Sequence, residues 1–589
     1  MANDTGTVDR SYEDWYNTIA GYERKYKRWE ARADRIVKKY KDDSRYDRNP
    51  NARFNILWSN VQTIQPAIFA RLPRPDVSRR FRDNDPIARV ASLILERGLE
   101  FEIEHYGDYK STMVNCVTDR LLGGRGTAWV RYEPHFMAKA EKEPEDGWEL
   151  TSVIDAKQAH DPSYVRDEGD VGKAMEGPMP EEEDNEPDEV EEEIEYECCP
   201  VDYVHWRDFG HTVARTWEEV TAVWRKVYMN RTALVERFGE ELGWRIPLDT
   251  KPEQTGKSYT KNDDEAYQAM IYEIWDAETG KVLWISKSLG KILDERDDPL
   301  ELENFFPCPK PLYATLTTDS LEPIPDFTIY QDQARELDDL CDRIDGLIGA
   351  LKVRGLYDAS ASELQRLFSE GNESNVLIPV KNWQAFAEKQ GMKGALDLVD
   401  IAPFAVALQQ CYQAMEQVKN QIYELMGIAD IQRGQTDPSE TLGAQIIKSN
   451  NAAGRLKTMQ HSVVDFATSL LAIKSQIICK HFTEDTILKI SGARQLSPQD
   501  QALVPQALEM LKDEVSKNFR IEVTSDSMIY QDEMQEKQDR MEFLQAMGGF
   551  MQQAIPAAQA SPELTPLLME MLKFAATAFK AGKGLEGLI

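Results

Sequence analysis

Apolar and charged positions alternate with helical spacing over residues 11–41, the first predicted element. Its aromatic residues Trp15, Tyr22, Tyr26 and Trp29 fall on one face of a helix, and most of the remaining positions are charged. This pattern predicts an amphipathic helix whose aromatic face packs against the rest of the protein. A basic and aromatic helix could also contact nucleic acid, but packing is the preferred interpretation.

The next 250 or so residues mix helical and strand patterns. One helix is predicted to end between Pro66 and Pro75, with a strand after it, and a long helical stretch then runs to a glycine break at residues 123–126. Strand patterns follow in "TAWVRYEP", "CCPVDYVHWRDFGH" and "VTAVWRKVYM", and "AYQAMIYEIWDAETGKVLWISK" predicts a hairpin. The first half is therefore predicted to be α+β.

Two amphipathic helices are predicted in the second half, at residues 326–352 and 403–426. The first carries an apolar stripe opposite a row of aspartates, and the second has a narrow apolar seam opposite Gln, Glu and Asn residues. Such helices pack against partners through the apolar side. The residues predicted to pack are Leu337, Ile344, Leu408, Met415, Val418 and Ile422.

Residues 353–402, between these helices, predict a compact insertion with a small helix, a strand at "NVLIPV" and the aromatic Trp383. A polar loop with glycine and proline follows the second helix at residues 427–437. Asp437, Pro438 and Glu440 then form a strong helix start, because they supply a cap, a first-turn proline and a capping box. The long helix is followed by predicted strands at "TILKI" and "NFRIEVTSD" and by a helical tail.

The composition restricts the partners. The chain has 589 residues and a formal net charge of −33, which argues against a broad basic face that grips phosphates. Its seven cysteines lack zinc-site spacing, so reduced thiols and intracellular synthesis are expected. No signal-peptide pattern is recognised at the start, and no apolar run is judged to approach the ~18 residues of a membrane span, so no membrane association is expected.

Motifs that carry chemistry are weak. "TGKS" at residues 255–258 lacks the first glycine of a phosphate-binding loop, because that position is Lys251. His205 and His211 are the nearest candidate ligand pair, but a turn between strands explains them better. The eleven acidic residues within positions 181–196 predict a solvated, poorly ordered loop rather than a calcium site. We therefore expect no catalytic, cofactor or metal site and no enzymatic activity.

Five stretches spread over nearly the whole chain carry a family resemblance. They are "NILWSNVQTIQPAIFARLPRPDV", "LLGGRGTAWVRYEP", "IPDFTIYQDQARELDDLCDRIDGLIGALKVRGLYDAS", "GIADIQRGQTDPSETLGAQ" and "NFRIEVTSDS". Through these stretches and the order of its predicted elements, the sequence resembles the portal proteins of tailed double-stranded DNA bacteriophages. The resemblance lies in the layout rather than in one short diagnostic motif.

The resemblance implies a helix-rich α+β subunit with wing, stem, clip and crown parts around a ring channel. It implies a ring, usually of twelve copies, at one vertex of the capsid. The implied parts are residues 1–325 as N-terminal helices and α+β wing, 326–352 as first stem helix, 353–402 as clip, 403–426 as second stem helix, 427–437 as tunnel loop, 438–527 as long wing helix with returning strands, and 528–589 as a helical crown.

The resemblance also implies partners and site residues. The expected partners are further copies of the chain, the large terminase subunit, a head–tail adaptor, the major capsid and scaffold proteins, and duplex DNA that passes without sequence recognition. The chain would be made in the host cytoplasm and end at the capsid vertex of the virion. The implied DNA-channel residues are Gln432, Arg433, Gln435 and Thr436, and the implied clip docking residues are Leu364, Phe368 and Trp383.

The acidic surplus agrees with the implied channel, because a wall that repels phosphates lets a duplex slide. Two alternatives stay open at the level of sequence. The loop at residues 427–437 could be a plain connector between helices. The protein could also be another acidic virion component, such as a scaffold or adaptor without a DNA channel. A ring with a central hole distinguishes a portal from that second class.

Overall fold

The computed structural model describes residues 10–42, 54–79, 85–137, 193–250, 267–351, 355–357, 396–398, 400–427, 442–512, 519–523 and most of 541–552. These residues are 58% helical and 21% strand, which confirms the predicted helix-rich α+β class. By their contacts, Glu133–Cys198 form one compact unit and the remainder of the chain forms the other.

Most helices of the described residues lie before residue 123 or after residue 326, and one lies among the strands between these two regions. In chain order they are α1 Tyr12–Lys41, α2 Ile56–Ile68, α3 Pro86–His105, α4 Tyr109–Leu122, α5 Arg231–Arg245, α6 Phe327–Ala350, α7 Ala402–Met426, α8 Leu442–His481, α9 Glu484–Ile490, α10 Pro498–Gln501 and α11 Val504–Lys512. Short 3-10 turns occur at Trp217–Glu219 and Ala493–Gln495.

The strands are short and pair antiparallel. They are β1 Pro75–Arg79, β2 Arg125–Val130, β3 Glu133–Met137, β4 Glu193–Cys198, β5 Val201–Val204, β6 Phe209–His211, β7 Ala222–Met229, β8 Ala269–Asp276, β9 Lys281–Ser286, β10 Lys291–Asp297, β11 Leu312–Tyr313, β12 Thr315–Thr317, β13 Ser320–Ile324, β14 Gly355–Tyr357, β15 Leu396–Leu398 and β16 Phe519–Val523. The main sheet has the order β10-β9-β8-β7-β6, a second has β11-β2-β5, and the others are pairs: β1-β16, β3-β4, β12-β13 and β14-β15.

Helix α1 packs its aromatic face, as the sequence predicts. Trp15, Tyr26 and Trp29 are fully buried, and they join a cluster that includes apolar residues of the five-stranded sheet. Ser11 and Asp14 form a capping box at the start of the helix. The guanidinium of Arg125, at the start of β2, is buried among these rings and donates to the Tyr22 hydroxyl at 2.6 Å. The aromatic face of α1 is therefore part of the core.

The largest core cluster joins the remaining long helices and contains a buried ion pair. Lys474 of α8 lies 3.3 Å from the carboxylate of Glu102 on α3, and the side chains are 1% and 0% exposed. The same carboxylate accepts from the backbone N–H of Cys199, and the Lys474 ammonium donates to the Cys199 carbonyl. The ion pair thus connects three segments that are far apart in sequence: α3, α8 and the backbone at Cys199. Burial raises the pKa of Glu102, and the Lys474 charge opposes that rise.

The glycine break after α4 has two distinct uses. Gly124 has φ +88°, a left-handed conformation that favours glycine, and it ends the turn that leads into β2. Gly126 has no such angle, but a Cβ placed there would lie 2.0 Å from the carbonyl oxygen of Cys116 on α4. The strand and the helix therefore approach each other closely at Gly126, where no side chain separates them.

Replacing Gly126 with alanine is expected to destabilise the protein by about 3 kcal/mol, at the upper end of overpacking costs, because backbone atoms of α4 must move. Gly21→Ala is the matched control, since nothing lies within 4 Å of a Cβ there and alanine favours the α1 helix. Denaturant unfolding followed by tryptophan fluorescence measures both. Equal midpoints for the two variants would contradict the close approach.

Three sequence predictions about local structure are wrong. The "TILKI" segment is helical (α9) rather than a strand, because Thr483 caps it and Glu484 and Asp485 occupy its first turn. The long helical stretch before the glycine break is two helices, α3 and α4, separated at Gly107, which has φ +72°. The acidic segment is not a loop to its end, because its last residues belong to β4.

Helix α8 contains a segment, Gly454–His481, that is long and apolar enough to cross a membrane by length and composition. The expectation that no segment reaches that length is therefore wrong. Core helices pass the same test, and 56% of the apolar window is buried within the chain. The buried Lys474 lies in this helix, so its apolar character is used in packing around an ion pair. The cysteines of the described residues form no disulfide, and most of them are buried.

Candidate functional site

The two helices predicted at residues 326–352 and 403–426 pack against each other as α6 and α7. Strands β14 and β15 pair antiparallel between the end of α6 and the start of α7, so the two helices form a hairpin. Residues 358–395, which the resemblance assigns to the clip, lie outside the described residues, as do the sequence-predicted docking residues Leu364, Phe368 and Trp383.

The base of this hairpin is fixed to the rest of its unit. Asp326, just before α6, pairs at 2.5 Å with Arg120 of α4, and both side chains are less than 10% exposed. A bidentate-capable guanidinium in a dry environment holds such a carboxylate in one orientation. Farther along α6, Asp338 pairs with Lys39 at the end of α1. The hairpin therefore extends from a rigid base.

The end of α7 is equally well defined. Gly427 closes the helix with φ +69°, and Arg455 of α8 donates a hydrogen bond to the Leu425 carbonyl, one of the orphan acceptors of that helix end. A Cβ on Gly427 would lie 3.2 Å from the Arg455 side chain. The polar segment begins here. Its residues 428–441, which include Gln432, Arg433, Gln435, Thr436 and the predicted Asp437–Glu440 helix start, lie outside the described residues.

The predicted packing residues divide into two groups. Leu337, Ile344, Val418 and Ile422 are at most 6% exposed, so the chain itself covers them. Leu408 and Met415 are only partly buried. The apolar seam of α7 is therefore buried against α6 and the core near the end of α7. Toward the start of α7, the side chains of the seam are partly exposed to solvent.

A second face of α7 is open. An open groove of about 530 Å³ runs along it and is lined by Ala405, Leu408, Gln409, Tyr412, Gln413 and Glu416. Their spacing of three and four residues places them on one side of the helix. Tyr412 is 45% exposed, and neighbouring Val406 and Phe404 are 55% and 37% exposed. Within the part of the chain that the structure describes, nothing covers this apolar and amide-rich surface.

The opposite helix, α6, exposes mainly charged side chains, together with the apolar Ile329 and Ile348, which are about half exposed. Asp339, Asp342 and Asp345 of α6 are exposed, as the sequence predicts, and Glu336 adds a fourth exposed acid. Charged residues on a helix hairpin favour a solvated face. The hairpin therefore has one open apolar groove and one acidic side.

Sequence reasoning missed most of the groove. Of its lining residues only Leu408 was among the predicted packing residues, because the alternating 4-3 seam drew attention to the face that α6 covers. The sequence does contain a signal for the groove: Ala405, Leu408 and Tyr412 recur at helical spacing next to the apolar seam of α7. Telling the two faces apart requires knowing where α6 lies.

The histidine pair considered from sequence is not brought into a common site. His211 is buried against the Tyr22 ring at a centroid distance of 5.5 Å, and burial together with the nearby Arg125 charge lowers the pKa of His211 to about 3. Its imidazole is therefore neutral at physiological pH. His205 lies in the turn between β5 and β6, which confirms the predicted turn for that residue, whereas His211 is the last residue of β6.

A scan against protein-family models finds no match for this chain, and a search of curated proteins finds no match either.

Proposed function

We propose that the protein is a portal subunit that assembles into a ring, with a channel for DNA packaging and ejection at one capsid vertex. The observation that carries the proposal is the hairpin of α6 and α7, fixed at its base and open along the α7 groove. A surface of this kind suits another copy of the same chain, because closed rings repeat one heterologous contact around an axis.

The acidic side of the hairpin supports the same assignment. In a ring, the exposed aspartates of α6 would recur once in every subunit and would line either the channel or the rim. A repeated acidic wall disfavours tight binding to phosphates, which suits a duplex that must slide rather than stay bound. The net charge of −33 points the same way.

Two further parts of the proposal concern segments outside the described residues. The polar segment 427–437 follows the end of α7, where Arg455 donates to the Leu425 carbonyl, and it is assigned the role of channel loop. The segment between β14 and β15, which belongs to the predicted clip, is assigned to docking of the terminase and the head–tail adaptor. The chain itself carries no proposed catalytic activity, and the packaging motor is a separate protein.

Negative-stain electron microscopy of the purified chain tests the proposal. We expect closed rings with a central hole wide enough for a DNA duplex, and a mass by light scattering that is an integral multiple, near twelve, of the 67.3 kDa subunit. Monomers or compact particles without a hole at micromolar concentration would favour the alternative, an acidic scaffold or adaptor component without a DNA channel.

A further inference from the structure

The hairpin of β3 and β4 places three potential metal ligands on one face. Glu133 and His135 are two residues apart on β3, and Cys198 is the direct cross-strand partner of Glu133 on β4. Residues two apart on a strand, and residues directly paired across a ladder, point to the same face. The ladder therefore brings the carboxylate and the imidazole of β3 together with a thiol that lies 65 residues after Glu133 in the sequence.

The ligand atoms of these three side chains all lie within 4.8 Å of one another. The His135 Nε2 atom is 3.6 Å from a carboxylate oxygen of Glu133. The Cys198 thiol lies against the same residue, 3.5 Å from the Glu133 carbonyl oxygen. Among the residues that the structure describes, this is the one group of three or more His, Cys, Asp and Glu side chains with metal-site spacing.

The imidazole is held by a neighbour on the same face. Tyr196, the cross-strand partner of His135, stacks on the histidine ring at a centroid distance of 4.2 Å and an interplanar angle of 16°. Stacking fixes the ring plane, while the imidazole remains about a third exposed. Cys198 is 6% exposed, so the thiol lies beneath two accessible ligands. A metal ion could reach this face from solvent without opening the hairpin.

We propose that this face of the β3–β4 hairpin binds one zinc ion through Glu133, His135 and Cys198. A donor set of one sulfur, one nitrogen and one oxygen suits zinc, whereas calcium and magnesium prefer oxygen ligands alone. Three protein ligands leave a fourth tetrahedral position for water or for one further donor. The inference is independent of the portal assignment.

The geometry requires only a small adjustment. In a tetrahedral zinc site with bond lengths of 2.0–2.3 Å, neighbouring ligand atoms are about 3.4 Å apart. The Glu133–His135 pair already has nearly this separation, and the two accessible side chains can rotate toward the thiol. Binding converts the thiol to a thiolate and releases its proton to solvent, so affinity should increase with pH.

A zinc ion at this position would join the two ends of the unit Glu133–Cys198. The paired residues Glu133 and Cys198 are the first and last residues of that unit. A metal bond between the ends of a long intervening segment reduces the entropy cost of holding them together. The sequence expectation of no metal site rested on spacing along the chain, and spacing cannot detect ligands that meet across a ladder.

The test is metal binding by the purified full-length chain. After exchange against zinc chloride and removal of loosely bound metal, we expect about one zinc ion per chain by elemental analysis. Cobalt chloride should give the near-ultraviolet absorption of a thiolate–cobalt bond. Cys198→Ser and His135→Gln are each expected to weaken zinc binding by more than about 100-fold, above the cost of losing an outer-shell partner.

Matched controls are Cys411→Ser and His105→Gln, which remove the same chemical groups elsewhere and should leave zinc binding unchanged. Circular dichroism without metal checks that each variant is folded; should Cys198→Ser fail this check, His135→Gln decides the matter. A wild-type chain without stoichiometric zinc overturns the proposal. Zinc binding that survives in the folded His135→Gln variant, or that is lost equally in the controls, overturns it as well.

Discussion

Replacing Lys474 with methionine is expected to destabilise the subunit by about 3–5 kcal/mol at neutral pH, the usual cost of leaving one partner of a buried ion pair uncompensated. Methionine keeps the length and much of the volume of the lysine stem. It removes the ammonium that lies 3.3 Å from Glu102 and that also donates to the Cys199 carbonyl. The midpoint of denaturant unfolding measures the loss.

The pH dependence of that loss identifies its cause. Burial already raises the pKa of Glu102 above its ordinary value of 4.5, and removing Lys474 removes a charge that lowers it. A group whose pKa is raised in the folded state contributes stability below its unfolded pKa and loses that contribution as the pH rises. The defect of Lys474→Met should therefore be smallest near pH 4.5 and grow toward pH 8.

Two further variants separate charge from packing. Lys480→Met, on the same helix but with an exposed side chain, should change the midpoint little. The double variant Glu102→Gln, Lys474→Met removes both charges and should recover a large part of the stability, because paired buried charges are not additive. A pH-independent defect, or a double variant as unstable as the single one, would show that lost packing rather than the orphaned carboxylate is responsible.

Tyr412→Glu is expected to weaken assembly of the proposed ring by about 30-fold or more in concentration. Aromatic anchors at the centre of an interface contribute about 2 kcal/mol or more when truncated, and a charge in an apolar groove adds a desolvation cost. Mass photometry over a dilution series gives the concentration at which half of the chains are in rings. The subunit fold should be unchanged, because Tyr412 is 45% exposed and glutamate favours helix.

The matched control is Tyr16→Glu. Tyr16 is also a helical tyrosine, is 46% exposed, and lies on α1 away from the groove. The Tyr16→Glu variant should assemble like the wild type. The Val418→Glu variant, in contrast, should unfold the hairpin, because Val418 is buried within the chain. Normal rings from Tyr412→Glu at the wild-type concentration would exclude the α7 groove from the subunit contact.

The elements governed by local pattern were predictable from sequence. The helices α1, α6 and α7 begin and end within two residues of the predicted bounds, because apolar periodicity is a local signal and because Ser11 caps the start of α1 and Gly427 the end of α7. The error at α9 also has a local reason. The β-branched residues of "TILKI" outweighed its start, although Thr483 and the acids after it signal a helix.

The features that depend on distant pairs were not predictable. Glu102 and Lys474 meet only after α3 and α8 have packed, and Glu133 and Cys198 meet only through the register of one ladder. Lys474 is the single charged residue between Asp465 and Lys480, and nothing in the sequence around it distinguishes a buried lysine from a surface one. The α7 groove depends on both kinds of information. Its helical periodicity is visible in the sequence, but the face of α7 that α6 covers is not.

The pairing of β1 with β16 joins Pro75–Arg79 to Phe519–Val523, across some 440 residues of chain. During synthesis at about 5–20 residues per second, the first strand waits roughly 20–90 seconds for its partner to leave the ribosome. Lys474 likewise reaches Glu102 only late in translation. A nascent chain therefore cannot complete its core until most of it has been made, and a truncated product that lacks β16 and α8 keeps an unpaired strand edge, which makes such a chain prone to aggregation.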